Sequence, residues 1–150
     1  LFLRIYRLDE IMSFIGDQGW FYLSARDMLL NGNIPLVGIT SSHTWLHQGP
    51  LWTYMLAIAL RIFAFSPFAG AYISIFIDLL AILAIYKLGS EMFSKRLGVI
   101  VAVLYATSPL VIQNARMPYH TSPIPLFTII AIYCLYKWIC GNKYFFLYLF

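Results

Sequence analysis

Charge is what this sequence has least of. Charged residues fill 11% of 150 positions, with 6 Asp and Glu against 10 Lys and Arg. A soluble domain carries roughly a quarter, so water is not this chain's main solvent. Cysteine is scarce as well. Cys134 and Cys140 share one apolar segment, which excludes a disulfide framework and a zinc site built on cysteines. No Gly-rich phosphate loop, Walker motif or dinucleotide fingerprint occurs, so a nucleotide sugar held by a soluble domain is unsupported. The basic residues form no patch, which argues against nucleic acid as a partner. The first residues also lack the charged, apolar and small-residue regions of a signal peptide in order.

What is present is apolar. Hydrophobic residues make up 61% of the chain and the formal net charge is +4, with a mean hydropathy of +0.78. These values predict an all-α integral membrane protein. Leu1 and the unfinished apolar run 144–150 read as the cut ends of a longer protein, the latter as the start of a further span. Residues 1–15, with Arg4, Arg7, Asp9 and Glu10, are too charged for a bilayer centre, where each such group costs about 2.5–3.5 kcal/mol. They fit the emerging end of a first span, its basic side chains snorkelling to the headgroups.

One long polar stretch interrupts this pattern. Residues 15–51 read IGDQGWFYLSARDMLLNGNIPLVGITSSHTWLHQGPL and bring Asp17, Arg26, Asp27, His43 and His47 together with Gly and Pro. Asp17 can cap a helix that stops at Gly32. A helix of that size is about 21 Å long at 1.5 Å per residue, short for a crossing, and fits the membrane surface. Residues 33–48 are loop. Pro50 then opens a second short helix, LWTYMLAIALRIFAF, compatible with a short span or a second surface helix. Three better spans follow at 68–88, 97–114 and 123–139, each near the 17–25 residues that a bilayer requires.

Charge placement chooses between the readings of the Pro50 helix. If it lies on the surface, Lys87, Lys95, Arg96, Lys137 and Lys143 collect on one side, and Asp9, Glu10, Asp17, Asp27 and all three His on the other. The positive-inside rule makes the first side cytoplasmic. If the helix crosses, Lys95 and Arg96 move outside, which the rule disfavours. The expected arrangement is therefore an external loop at 16–66 carrying two juxtamembrane helices.

On that topology GDQGWFYLSARDMLLNG followed by HQGPLWTYMLAIALRIFAF resembles the first external loop of multi-span glycosyltransferases of the C-type fold. The nearest likeness is to family 39, with its protein O-mannosyltransferases, aminoarabinose transferases and related bacterial membrane proteins. The matching elements are Asp17-Gln18-Gly19 and His47-Gln48-Gly49-Pro50-Leu51, with FSKRLG as a basic cytoplasmic turn. The resemblance implies a polyprenyl-phosphate sugar as donor and a glycan, lipid or protein as acceptor, with transfer on the non-cytoplasmic face of the plasma membrane. It departs at ARMPYHTSPIP, where many relatives carry an acidic residue and this chain has Arg116 and His120. No cofactor is expected, and a divalent metal is unsupported.

Asp17 is thus either a plain helix cap or the base that draws the acceptor's proton in an inverting transfer, and the two roles are compatible. The leaving phosphate calls for fixed positive charge and N–H donors. His47, Arg116 and His120 are the external candidates for donor binding. His43 and His47 lack further ligands for a metal. Asp78 lies inside an expected span, where an ionisable group is expensive. It either pairs with a Lys or hydroxyl of a neighbouring span or serves as the coupling group of a transporter. A non-enzymatic transporter or membrane assembly subunit is accordingly the competing class, but most polar groups gather outside rather than at the midplane, which favours the transferase.

Overall fold

A computed structural model describes residues 1–14, 16–40, 45 and 47–141. Its regular structure is helical: α1 (Phe2–Ile5), α2 (Leu8–Ile11), α3 (Gly16–Asn31), α4 (Leu51–Ile62), α5 (Ala69–Met92), α6 (Lys95–Thr107), α7 (Pro109–Arg116) and α8 (Ile124–Ile139). No strand occurs among the described residues beyond one isolated bridge between Thr40 and His47. His43 and the expected further span at 144–150 lie outside the described residues.

The bundle is arranged around α5, which touches α4, α6, α7 and α8, while α3 packs on α4 and α1 on α7. Its 24 residues make it long and apolar enough to cross a membrane, about 36 Å at 1.5 Å per residue. Large apolar side chains remain exposed along α6 and α8, including Val103, Leu104, Phe127 and Ile132. Such an apolar exterior suits lipid as solvent. The described residues form an all-helical bundle, one helix of which is suited to crossing a membrane.

The stretch expected as one span at 97–114 is two helices, α6 and α7, bent by 60° at the break. Ser108-Pro109 explains the bend. Proline has no N–H to give the preceding turn, and its ring excludes helical geometry from the residue before it. The carbonyl of Ala106, close to this break, accepts from the Arg4 guanidinium at 3.1 Å. Arg4 therefore does not snorkel. It is 1% exposed and also pairs with Asp78, so Asp78 holds an arginine from α1 beside the Tyr105 hydroxyl of α6, the latter a hydroxyl of a neighbouring span as expected.

Two close approaches set the helix spacing. A Cβ at Gly98 would meet the Ser90 Oγ at 2.2 Å and the Tyr86 carbonyl oxygen at 2.8 Å, so only glycine lets α6 lie this close to α5. At the other end a Cβ at Gly70 would meet Pro118 Cβ at 2.7 Å and the Tyr22 hydroxyl at 2.5 Å. Glu91 ties the far end of α5 to α8 through an ion pair with Lys137 and bonds from the Tyr133 and Tyr136 hydroxyls. The bundle thus has a basic end, near Lys87, Lys95 and Lys137, and an opposite end where α3, the start of α5 and the 117–123 turn meet.

The two helices of the polar stretch form much as their residues dictate. α3 stops at Gly32, whose φ of +72° is the left-handed geometry of a glycine helix end. α4 buries Trp52, Thr53, Leu56, Ala57, Ala59 and Leu60, a single helical face, against α3 and α5. It stops at Ile62, short of the expected Phe65, because Ala64 and Phe65 turn left-handed ahead of Ser66-Pro67. At 12 residues it is about 18 Å long.

Candidate functional site

Asp17 sits one residue inside the start of α3, in its first turn, with an exposed side chain. A carboxylate there is stabilised by the helix dipole, typically by about 0.3–1 kcal/mol. The helix therefore uses it as a first-turn acid, where the sequence suggested a cap. Gln18 beside it is fully buried. Phe21, one turn further on, is buried as well and aims the same face of α3 at the 117–123 turn.

That turn is stiff. Ser122 Oγ donates to the Met117 carbonyl at 3.0 Å, and Ser74 Oγ of α5 reaches the same carbonyl at 3.3 Å. Pro118 is fully buried. The turn presents Tyr119 and His120 to α3. The Tyr119 hydroxyl lies 3.4 Å from Asp17 Oδ2, joining residues 102 apart in sequence. Phe21 meets the Tyr119 ring edge-on, with centroids 6.3 Å apart at 87°. The His120 ring lies 4.2 Å from that of Tyr119 and 5.5 Å from that of Phe21.

The electrostatics follow from this packing. Burial, and after it the Asp17 carboxylate, raises the Tyr119 phenol above its usual range, so it stays protonated and serves as a donor. Burial lowers the His120 imidazole, with Asp17 opposing. The neutral ring is favoured, and among the described residues its buried Nδ1 has no hydrogen-bond partner.

Arg116, three residues before Tyr119, faces the opposite way. Its guanidinium donates to the carbonyls of Leu3 at 2.5 Å and Tyr6 at 3.3 Å, while its buried Nε has no partner among the described residues. It lines a cavity of about 460 Å³ together with Leu3, Ile11, Ser13, Pro109, Ile112 and Gln113. Its walls mix apolar side chains (Leu3, Ile11, Pro109 and Ile112) with the polar Ser13, Gln113 and Arg116, a combination that suits an amphipathic ligand. A second cavity of about 470 Å³, lined by Tyr22, Leu23, Arg26, Leu30, Leu60 and Phe65, opens elsewhere on α3 and includes none of these groups.

His47 stands apart. It is exposed at the base of a loop closed by Gly38 N–H to Gln48 O at 2.9 Å and Gln48 N–H to Ile39 O at 3.0 Å. Among the described residues, no hydrogen bond or ion pair joins it to Asp17, Tyr119 or Arg116. The structure thus brings Asp17 and His120 together, places Arg116 on a cavity that shares no lining residue with them, and leaves His47 separate. Sequence reasoning missed Tyr119 and Phe21.

A lipid-suited helical bundle with an exposed carboxylate at one end, facing a phenol and an imidazole, has a polar site at its surface. Residues 47–150 match the family described as dolichyl-phosphate-mannose-protein mannosyltransferase. The chain belongs to that family, a class of membrane glycosyltransferases. The match includes His47, Arg116, Tyr119 and His120, while Asp17 and Phe21 precede it. No curated protein and no solved structure matches the chain.

Proposed function

We propose that this chain carries the catalytic centre of a C-type, multi-span glycosyltransferase that moves a sugar from a polyprenyl phosphate to an acceptor on the non-cytoplasmic face. Asp17 is the base. It takes the proton of an acceptor hydroxyl as that oxygen attacks the anomeric carbon. The bond from that carbon to the phosphate oxygen breaks, and polyprenyl phosphate leaves with the electron pair. The configuration inverts. Arg116 supplies positive charge for the phosphate, and the apolar wall of its cavity takes the first isoprene units. His120 and His47 provide further polar contacts to the donor. No cofactor is called for, and a divalent metal is possible but unsupported.

The observation that carries this reading is the meeting of Asp17 with Tyr119 and His120 across the bundle. Among the described residues they are far in sequence, close in space and at the end opposite the Lys-rich turn. The positive-inside rule then supports placing the site outside the cytoplasm. A transporter would instead want polar groups along a midplane path. Asp78, the one strong candidate for that, is already paired with Arg4.

The test is direct. Membranes carrying the full-length protein are given a panel of radiolabelled polyprenyl-phosphate sugars, including dolichyl-phosphate mannose. Consumption of one of them, lost in Asp17→Asn, is expected. No consumption of any above control membranes would refute the transferase reading.

A further inference from the structure

The Asp17 carboxylate is exposed at the start of a helix, and its own helix offers little to fix its direction. Its neighbour across the bundle does. Tyr119 is held at the backbone by its N–H to Met117 O at 2.9 Å and by Ser122 N–H to its own carbonyl at 3.0 Å. Its ring meets Phe21 edge-on and the tilted His120 ring, which in turn contacts Phe21. Gly70 lets Pro118 approach α5 closely enough to seat the whole turn.

We propose that Tyr119 is the positioning residue of the base: its hydroxyl donates to Asp17 Oδ2 and aims the other carboxylate oxygen at the acceptor. This rests on the reading of Asp17 as the base. Tyr119 exchanges no proton in the reaction. It keeps its hydrogen throughout, and what it contributes is the orientation of an acceptor-only group that has two equivalent oxygens. At 3.4 Å the bond is long for a hydroxyl and a carboxylate, as contacts at catalytic sites often are before substrate closes on them. The hydrogen bond is to a charged group, the stronger kind. Phe21, four residues from Asp17, couples the two elements so that α3 and the turn move as one.

The experiment is a double-mutant cycle of Tyr119→Phe and Asp17→Asn in the full-length protein. Transfer of label is followed from dolichyl-phosphate mannose, or from whichever sugar of the panel above wild-type membranes consume. Phe keeps the ring contacts and removes only the hydroxyl. The expected result is a kcat about tenfold to a hundredfold lower, as for the loss of one charged hydrogen bond, with the donor KM unchanged. In the Asp17→Asn background the same change should cost nothing further, since the partner it orients is gone. Wild-type kcat in Tyr119→Phe, or an equal loss in both backgrounds, would overturn the assignment while leaving Asp17 as base. Full turnover in Asp17→Asn would overturn both at once. Tyr119→Leu, which removes the ring as well, separates packing from orientation: it should raise the donor KM or lower the yield of folded protein, effects that Tyr119→Phe must not show.

Discussion

The guanidinium of Arg4 donates to the carboxylate of Asp78, joining two residues 74 positions apart inside the bundle. Both are buried, at 1% and 7% exposure. The pair fastens the first helical segment to α5 and, through the Ala106 carbonyl, to the broken end of α6. Removing one partner of such a pair leaves an uncompensated charge and costs about 3–5 kcal/mol. Asp78→Asn should therefore unfold at clearly lower temperature in detergent. Cys134, which is buried, reports this through its delayed reaction with a thiol dye. Arg4→Met combined with Asp78→Asn should recover much of the loss.

Gly98 offers a second structural test. A methyl group there would strike the Ser90 Oγ, which can rotate, and the Tyr86 carbonyl, which cannot. Overpacking of this kind costs about 1–3 kcal/mol. Gly98→Ala should lower the same thiol-reactivity midpoint, and Gly98→Val should lower it further. An unchanged midpoint in both would mean that α5 and α6 are not held at this crossing.

His120 gives a pH dependence with a definite sign. Its folded pKa is depressed, chiefly by burial, so below the ordinary histidine value of about 6.5 the unfolded chain binds the extra proton more readily. Stability contributed by the neutral ring is present at higher pH and declines as pH falls from about 6.5 toward the depressed folded value. His120→Gln should flatten that decline in a melting series between pH 7.5 and 5. A steeper decline in the variant would contradict the assignment.

How much of this was legible in the residues differs by element. α5 and the end of α3 at Gly32 follow from composition and from one glycine. The bend at Ser108-Pro109 was also written in the sequence, but a continuous apolar run masked it. The arginine partner of Asp78 was not readable, because residues 1–15 are so charged that Arg4 and Arg7 look like headgroup anchors. Tyr119 was invisible for a different reason. Its role depends on a turn that folds back on a helix 102 positions away, and no local pattern encodes that contact.

Topology is open to a chemical test. With native cysteines replaced, single cysteines at positions 45 and 95 are exposed to an impermeant thiol reagent in intact cells. Trp45 is exposed on the loop side and Lys95 lies in the basic turn. Labelling at 45 and protection at 95 are expected. The reverse pattern would invert the orientation of the bundle and place Asp17 in the cytoplasm.

The central claim is that Asp17 acts as a base. Turnover of Asp17→Asn, measured with donor and acceptor saturating, tests it most directly. Asparagine tolerates the start of a helix well, so folding and insertion should survive, with a loss of only about 0.3–1 kcal/mol from the missing dipole interaction. Loss of a general base typically lowers rate by about 10²–10⁴-fold. The expected result is a folded, inserted protein with less than a tenth of wild-type turnover. A variant that inserts normally and turns over within a few-fold of wild type would make Asp17 a first-turn acid of α3 and nothing more.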